Sequence, residues 1–302
     1  MTELLLPHPW GEAWTLLRSL ELGPVLGGGA PLVARWGHRR APDMSVALAG
    51  RETLLDLERD DERSLAAALG GRLTRAEWNE ARIAIGSRTL TVSIGGPRAF
   101  GAAETVIVEG QVARALTPAQ VLHECLARGQ YLWARDALDT AAAVTRDRTA
   151  LAEAASSFAL ADLKGVASCW RSSNGARVIA MDAEPLLQNE SGIEPARIGS
   201  EAAEAAINHR YRRIVIERSG DEVVVRRTTP AGPLADVACN ANDVGQVLRR
   251  IGLLAHLDRN GPVSGAELLA AVRRHDGADQ VSFDSVNEDS VHQVRRAAQP
   301  AA

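Results

Sequence analysis

The sequence predicts an α+β fold, and three observations carry that expectation. Short β-like runs bounded by glycine or proline crowd the first 110 of the 302 residues. From Thr117 to Lys164 the texture becomes helical and alanine-rich, and after Trp170 comes an alternating hairpin followed by short helices. The expected organisation is a mixed α+β domain over 1–115, a helical layer over 116–170, and an α+β domain with a helix-turn-helix-like end over 171–302. At 24% charged and 46% hydrophobic residues the composition is that of a soluble globular chain, with length for about two domains.

Taken in order, PLVARWG, MSVALAG, RTLTVSIGG and ETVIVEG read as strands of a small sheet. The glycines Gly27, Gly28 and Gly29 then read as a flexible turn leading into the first of these, and Gly95, Gly96 and Gly101 as another. Thr74 and Glu77 have capping-box spacing ahead of WNEARIAI, which predicts a helix with Trp78 and Ile85 on one face. Thr117, Pro118 and Gln120 give a second helix start, stopped near Gly129. The stretch from Tyr131 to Lys164 lacks proline and glycine, so one long helix or two with a break near Thr145 both fit. Its alanine stripes let helices approach closely, as a dimer face or as ordinary core. RSSNG reads as a domain boundary, ARVIAMD as a strand, and Ser200 as the opening of a helix. YRRIVIE and EVVVRRTT flank Ser219 and Gly220 as a hairpin, with Ile214 and Ile216 on one face and arginines on the other.

Composition excludes several chemistries. Lys164 is the single lysine among 34 basic residues, and no glycine loop precedes it, which argues against a P-loop, a kinase lysine or a pyridoxal Schiff base. Cys125, Cys169 and Cys239 are odd in number and far apart, so neither a disulfide framework nor a CxxC metal knuckle is expected. A net charge of −4 argues against a surface built throughout for polyphosphate. MTELLLPHPW lacks the charged start and long apolar core of a signal peptide, and no long apolar run occurs, so a cytoplasmic protein without membrane contact is expected. No metal site and no cofactor are expected. GxSxG and HExxH are absent, and His123 and Cys125, two apart on a helix, point away from each other. Cys125 and His38 therefore enter only a reading as an enzyme with an unfamiliar site. Glu58, Asp60, Asp61 and Glu62 alternate with arginine as on a solvated face. HLDRNGPVSGAE has calcium-loop spacing, but His256 stands where the first acidic ligand belongs.

Leu253, Leu254 and Leu257, the turn at Asn260 and Gly261, and the Ser264–Glu267 capping box make a helix, turn, helix pattern ahead of SVNEDSVHQVRRA. This segment resembles the winged-helix domain of response-regulator transcription factors, without the terminal wing hairpin. The resemblance implies a recognition helix from Asp284, with Arg295 and Arg296 reaching a nucleic-acid backbone, although Asp284, Glu288 and Asp289 would repel phosphate. The hairpin's Arg212, Arg213, Arg226 and Arg227 suit an acidic partner or a soluble face. Trp10 and Trp14, four apart, would anchor an interface if exposed. Together these features predict a non-catalytic regulatory, adaptor or assembly protein acting through a protein partner or self-association. A DNA-associated regulator is the first alternative and an unfamiliar enzyme the second.

Overall fold

The computed structural model describes residues 1–19, 23–49, 66–77, 80–95, 103–187, 194–211, 213–229, 232–250, 281–287 and 291–296, with single helical positions at 266, 267, 270 and 273. The chain is α+β. It forms two compact units, Met1–Glu124 with Met181–Pro195, and Cys125–Ala180 with Ala196–Ala302.

The first unit is built on a mixed eight-stranded sheet. Its strands are β1 (Glu3–Leu4), β2 (Val25–Gly27), β3 (Asp43–Ala49), β4 (Arg72–Glu77), β5 (Glu80–Ile85), β6 (Arg88–Gly95), β7 (Glu104–Val108) and β8 (Gln111–Ala115). They lie in the order β1-β7-β8-β2-β3-β6-β5-β4, which makes β3 and β6 a central, parallel pair. Alternation aims Met44, Val46 and Leu48 of β3 and Leu90 and Val92 of β6 into one core. Helix α1 (Trp10–Ser19) closes that core with Trp10, Trp14 and Leu17, one face of a 3.6-residue repeat. The indole of Trp10 donates to the Ala41 carbonyl at 2.9 Å.

Two expectations in this unit are corrected. PLVARWG is not a strand but helix α2 (Ala30–Trp36). Pro31 fits its first turn, where the missing N–H costs nothing. Gly37, at φ 58°, ends it by donating to the Val33 carbonyl at 2.9 Å. Both punctuation residues had been read as strand boundaries, and a seven-residue apolar run does not separate the two states. The Thr74–Glu77 spacing does not open a helix either, because those residues lie on β4, antiparallel to β5. Thr74 donates to the Arg82 carbonyl across the pair at 3.0 Å, Glu77 binds Arg75, and Ala81 and Ile83 follow the period of a strand.

Helix α3 (Pro118–Ala127) starts as expected. Gln120 Oε1 accepts from the Thr117 N–H at 2.9 Å and Thr117 Oγ1 from the Gln120 N–H at 3.3 Å, a reciprocal capping box.

The second unit contains α4 (Ala134–Arg146), α5 (Arg148–Ser156), α6 (Leu160–Arg171), most of α7 (Ser173–Ala183), and α8 (Ile198–Asn208). The predicted break falls at Asp147, whose carboxylate accepts from the Ala150 N–H at 2.9 Å and caps α5. The alanine stripes are core: Ala137, Ala143, Ala152, Ala155, Ala202 and Ala206 are all fully buried. ARVIAMD is helix rather than strand. Ser172 Oγ accepts from the Gly175 N–H at 3.0 Å, so RSSNG is a cap, and the buried Gly175, Ile179 and Ala183 repeat every four residues.

The hairpin of β9 (Arg213–Ser219) and β10 (Glu222–Thr229) forms as read, turning through Gly220 at φ 63°. It belongs to a sheet ordered β11-β10-β9-β14-β13, with β12 beside β10. Here β11 is Gly232–Pro233, β12 Val237–Asn240, β13 Val281–Asn287 and β14 Val291–Arg296. Helix α9 (Val244–Arg250) follows β12. The expected recognition helix is therefore corrected: Asp284–Asn287 and Val291–Arg296 lie on the antiparallel pair β13 and β14. VSFD alternates at period two, and β14 satisfies its backbone against β9, with Val294 opposite Ile214.

Candidate functional site

The residues singled out from the sequence take up different positions. Trp10 and Trp14 are 0% exposed and belong to the core of the first unit, which corrects their reading as interface anchors. Arg227 is also corrected. At 2% exposure it donates through Nη1 to Glu153 Oε1 at 2.8 Å and to the Tyr211 hydroxyl at 3.1 Å, and through Nη2 to the Ala235 carbonyl at 3.0 Å. Burial opposes its charge, yet Tyr211 and Glu153 together hold its pKa above the ordinary arginine value.

Arg226 is exposed and paired with Glu217 and Asp236, whose hydrogen bonds raise its pKa. Arg213 is exposed at the start of β9, opposite Thr228 and Arg295 in the two neighbouring strands. Arg295 and Arg296 end β14. Arg212, the carboxylate run 58–62, the glycines Gly96 and Gly101, and all of the calcium-like segment except its end lie outside the described residues. Cys125 is buried at 1% exposure, and His38 is buried with its ring 5.4 Å from that of Trp36.

The structure brings together a set that the sequence reading passed over. One face of the central β3–β6 pair is apolar core, and the other is a polar floor. Asp43 lies opposite Thr89, Ser45 opposite Thr91, and Ala47 opposite Ser93 in the parallel register, and all but Ala47 are half-buried. The next strand adds Arg82 opposite Thr91 and Glu80 opposite Ser93, held together as an ion pair at 2.7 Å. Ser93 Oγ donates to the Val46 carbonyl at 3.5 Å, and each hydroxyl of the row keeps acceptor lone pairs.

At the edge of this floor the chain leaves β2, passes Gly28 and Gly29, and enters α2. Gly28 has φ 59°, and a Cβ there would stand 2.9 Å from Ser45 Oγ, so the turn lies directly on the floor and only glycine fits it. The alternation DMS and TLTVS carried this signal, with a polar residue at every second position of two strands that the topology makes central.

A groove also runs along α1. It encloses about 630 Å³ and is lined by His8, Glu12, Thr15, Ser19 and Glu109 among others. Its acidic groups are already engaged: His8 Nδ1 lies 3.4 Å from Glu12 Oε1, and Glu109 Oε1 accepts from the Leu6 N–H at 2.6 Å. No group of three or more His, Cys, Asp or Glu side chains able to hold a metal ion occurs among the described residues. No helix among them is long and apolar enough to cross a membrane.

No family model and no curated protein matches the chain. Among solved structures, it is similar to antibiotic-resistance factor ANT(2'')-Ia. The solution structure of that protein, described by its substrate-regulated conformation dynamics, matches at 21% identity over 40% of this chain and 69% of the other, with a TM-score of 0.32. Its crystal structure in complex with adenylyl-2''-tobramycin matches at 21% identity over 39% and 73%, with a TM-score of 0.31. These matches are to a protein with a substrate, and they correct the expectation of a non-catalytic adaptor or regulator. No reaction is carried over from them.

Proposed function

We propose that the first unit is the substrate-binding part of an enzyme, and that it takes a phosphate-bearing small molecule on the polar floor of β3 and β6. The observation that carries this reading is the half-buried row of Asp43, Ser45, Thr89, Thr91 and Ser93 beneath the Gly28 turn. Ser45 and Thr91 are neighbours on adjacent strands, about 5 Å apart, so two hydroxyls can donate to one phosphate group. The Gly28–Gly29 backbone approaches the same place without side chains in the way.

The test is calorimetric titration of the full chain with ATP and with pyrophosphate, each with and without magnesium. Ser45→Ala and Thr91→Val remove one hydroxyl each, the second with its β-branched shape kept, so each should weaken binding roughly two- to tenfold. Absence of binding for both probes, or equal affinity in both variants, contradicts the proposal.

A further inference from the structure

Trp10, Trp14 and Trp170 are 0% exposed, whereas Trp133 is 40% exposed beside Tyr131 at 60%. These two aromatics stand on a short segment of the second unit that is unusually constrained. The 3-10 turn Gly129–Tyr131 is pressed against α6, because a Cβ on Gly129 would lie 2.3 Å from Val166 Cγ1 and 3.2 Å from Trp170 Cζ2. Leu132 then takes a left-handed backbone at φ 56°, which a side-chain-bearing residue holds only where its surroundings enforce it. That reversal sets Tyr131 and Trp133 on the same side, stacked with ring centroids 5.7 Å apart and planes at 28°.

Two guanidinium groups complete the corner. Arg135 lies 4.6 Å from the Trp133 ring centroid and Arg128 5.4 Å from it. Arg128 is fixed by two bonds of 3.2 Å to Asp136, a carboxylate only 2% exposed. The corner is thus a stacked aromatic pair with two guanidinium groups over the Trp133 ring, one buried counter-charge, and Tyr131 as its more exposed ring.

We infer that this corner stacks unpaired bases of single-stranded nucleic acid, with Arg128 and Arg135 beside the phosphates. The Tyr131 ring, stacked on an arginine-covered Trp133, matches a base carrying its phosphate: Tyr131 supplies a stacking plane and the guanidinium groups the anion contact. Stacking reads neither sequence nor sugar, so RNA and DNA single strands bind alike, and a duplex, whose base faces are occupied, binds weakly. The inference is independent of the phosphate-ester site in the first unit.

The experiment is fluorescence anisotropy of labelled oligo-U, oligo-dT and a mixed-sequence duplex, each of about 20 nucleotides, titrated with the full chain at two salt concentrations. Binding of both single strands in preference to the duplex is expected, weakening with salt. Tyr131→Ala combined with Trp133→Ala should lose about tenfold or more. Trp133→Phe, which keeps a stacking face, should lose far less. Arg135→Gln should weaken binding and flatten its salt dependence. Ser45→Ala should leave oligonucleotide binding unchanged, which separates this site from the first. No single-strand binding at about 50 mM salt, a preference for duplex, or full affinity in the double variant overturns the inference. Melting curves of the same variants are the check that each is folded, so that full affinity in the folded double variant overturns the inference.

Discussion

Replacing Arg227 by alanine is expected to destabilise the second unit severely, although the sequence reads it as one arginine of an exposed hairpin. The side chain is 2% exposed and the carboxylate of Glu153 20%, so the pair is shielded from solvent on both sides. Truncation would remove the Arg227 guanidinium from Glu153, from the Tyr211 hydroxyl and from the Ala235 carbonyl. Losing one partner of a buried pair costs about 3–5 kcal/mol, and the partial exposure of Glu153 places this case near the lower end, about 3 kcal/mol. At about 2–4 °C per kcal/mol, the melting temperature should fall by roughly 6–12 °C. Urea unfolding followed by circular dichroism measures the same loss at constant temperature. Arg227→Met combined with Glu153→Leu removes the stranded charge together with its partner and should recover at least half of the loss. A loss under about 1 kcal/mol, the range of exposed pairs, would refute the reasoning.

Three further outcomes follow from the same geometry. Trp10→Phe should cost about 1–3 kcal/mol in chemical denaturation, because the buried Ala41 carbonyl loses its donor. Thr117→Ala should cost about 1 kcal/mol by removing one half of the capping box, and Thr117→Ser should restore most of it. Asp136 is held above the 3.8 of an ordinary aspartate chiefly by burial, against the lowering effect of Arg128. A carboxylate raised in the folded state binds its proton more tightly there than in the unfolded chain. Its contribution to stability is therefore greatest below 3.8 and declines as pH rises toward the folded value. The stability of the parent minus that of Asp136→Asn, from urea midpoints across the acid range, should fall with rising pH, and a difference that rises contradicts the assignment.

Local chemistry made much of the fold legible. Thr117, Pro118 and Gln120 fix a helix start by themselves, and the RSGD turn fixes a hairpin, because each element's signal lies within a few residues. Misreadings occurred where one local pattern serves two structures. Proline and glycine around LVARW bound a strand or cap a short helix, and Thr74 to Glu77 spells a capping box although its side chains bond across a sheet. Only the sheet partner decides. The candidate site depends on the same non-local information, since Ser45 and Thr91 become neighbours through pairing of strands 46 residues apart in sequence. The arginines illustrate the converse: Arg226 and Arg227 are adjacent, and alternation sends one to solvent and the other to a buried network with Glu153.

The most direct test of the ligand site is a crystal structure of the full chain with a non-hydrolysable ATP analogue. The account predicts a phosphate within hydrogen-bonding distance of Ser45 and Thr91, beneath the Gly28 turn. An analogue bound away from that floor, or a floor left empty in crystals that hold the analogue elsewhere, would contradict it.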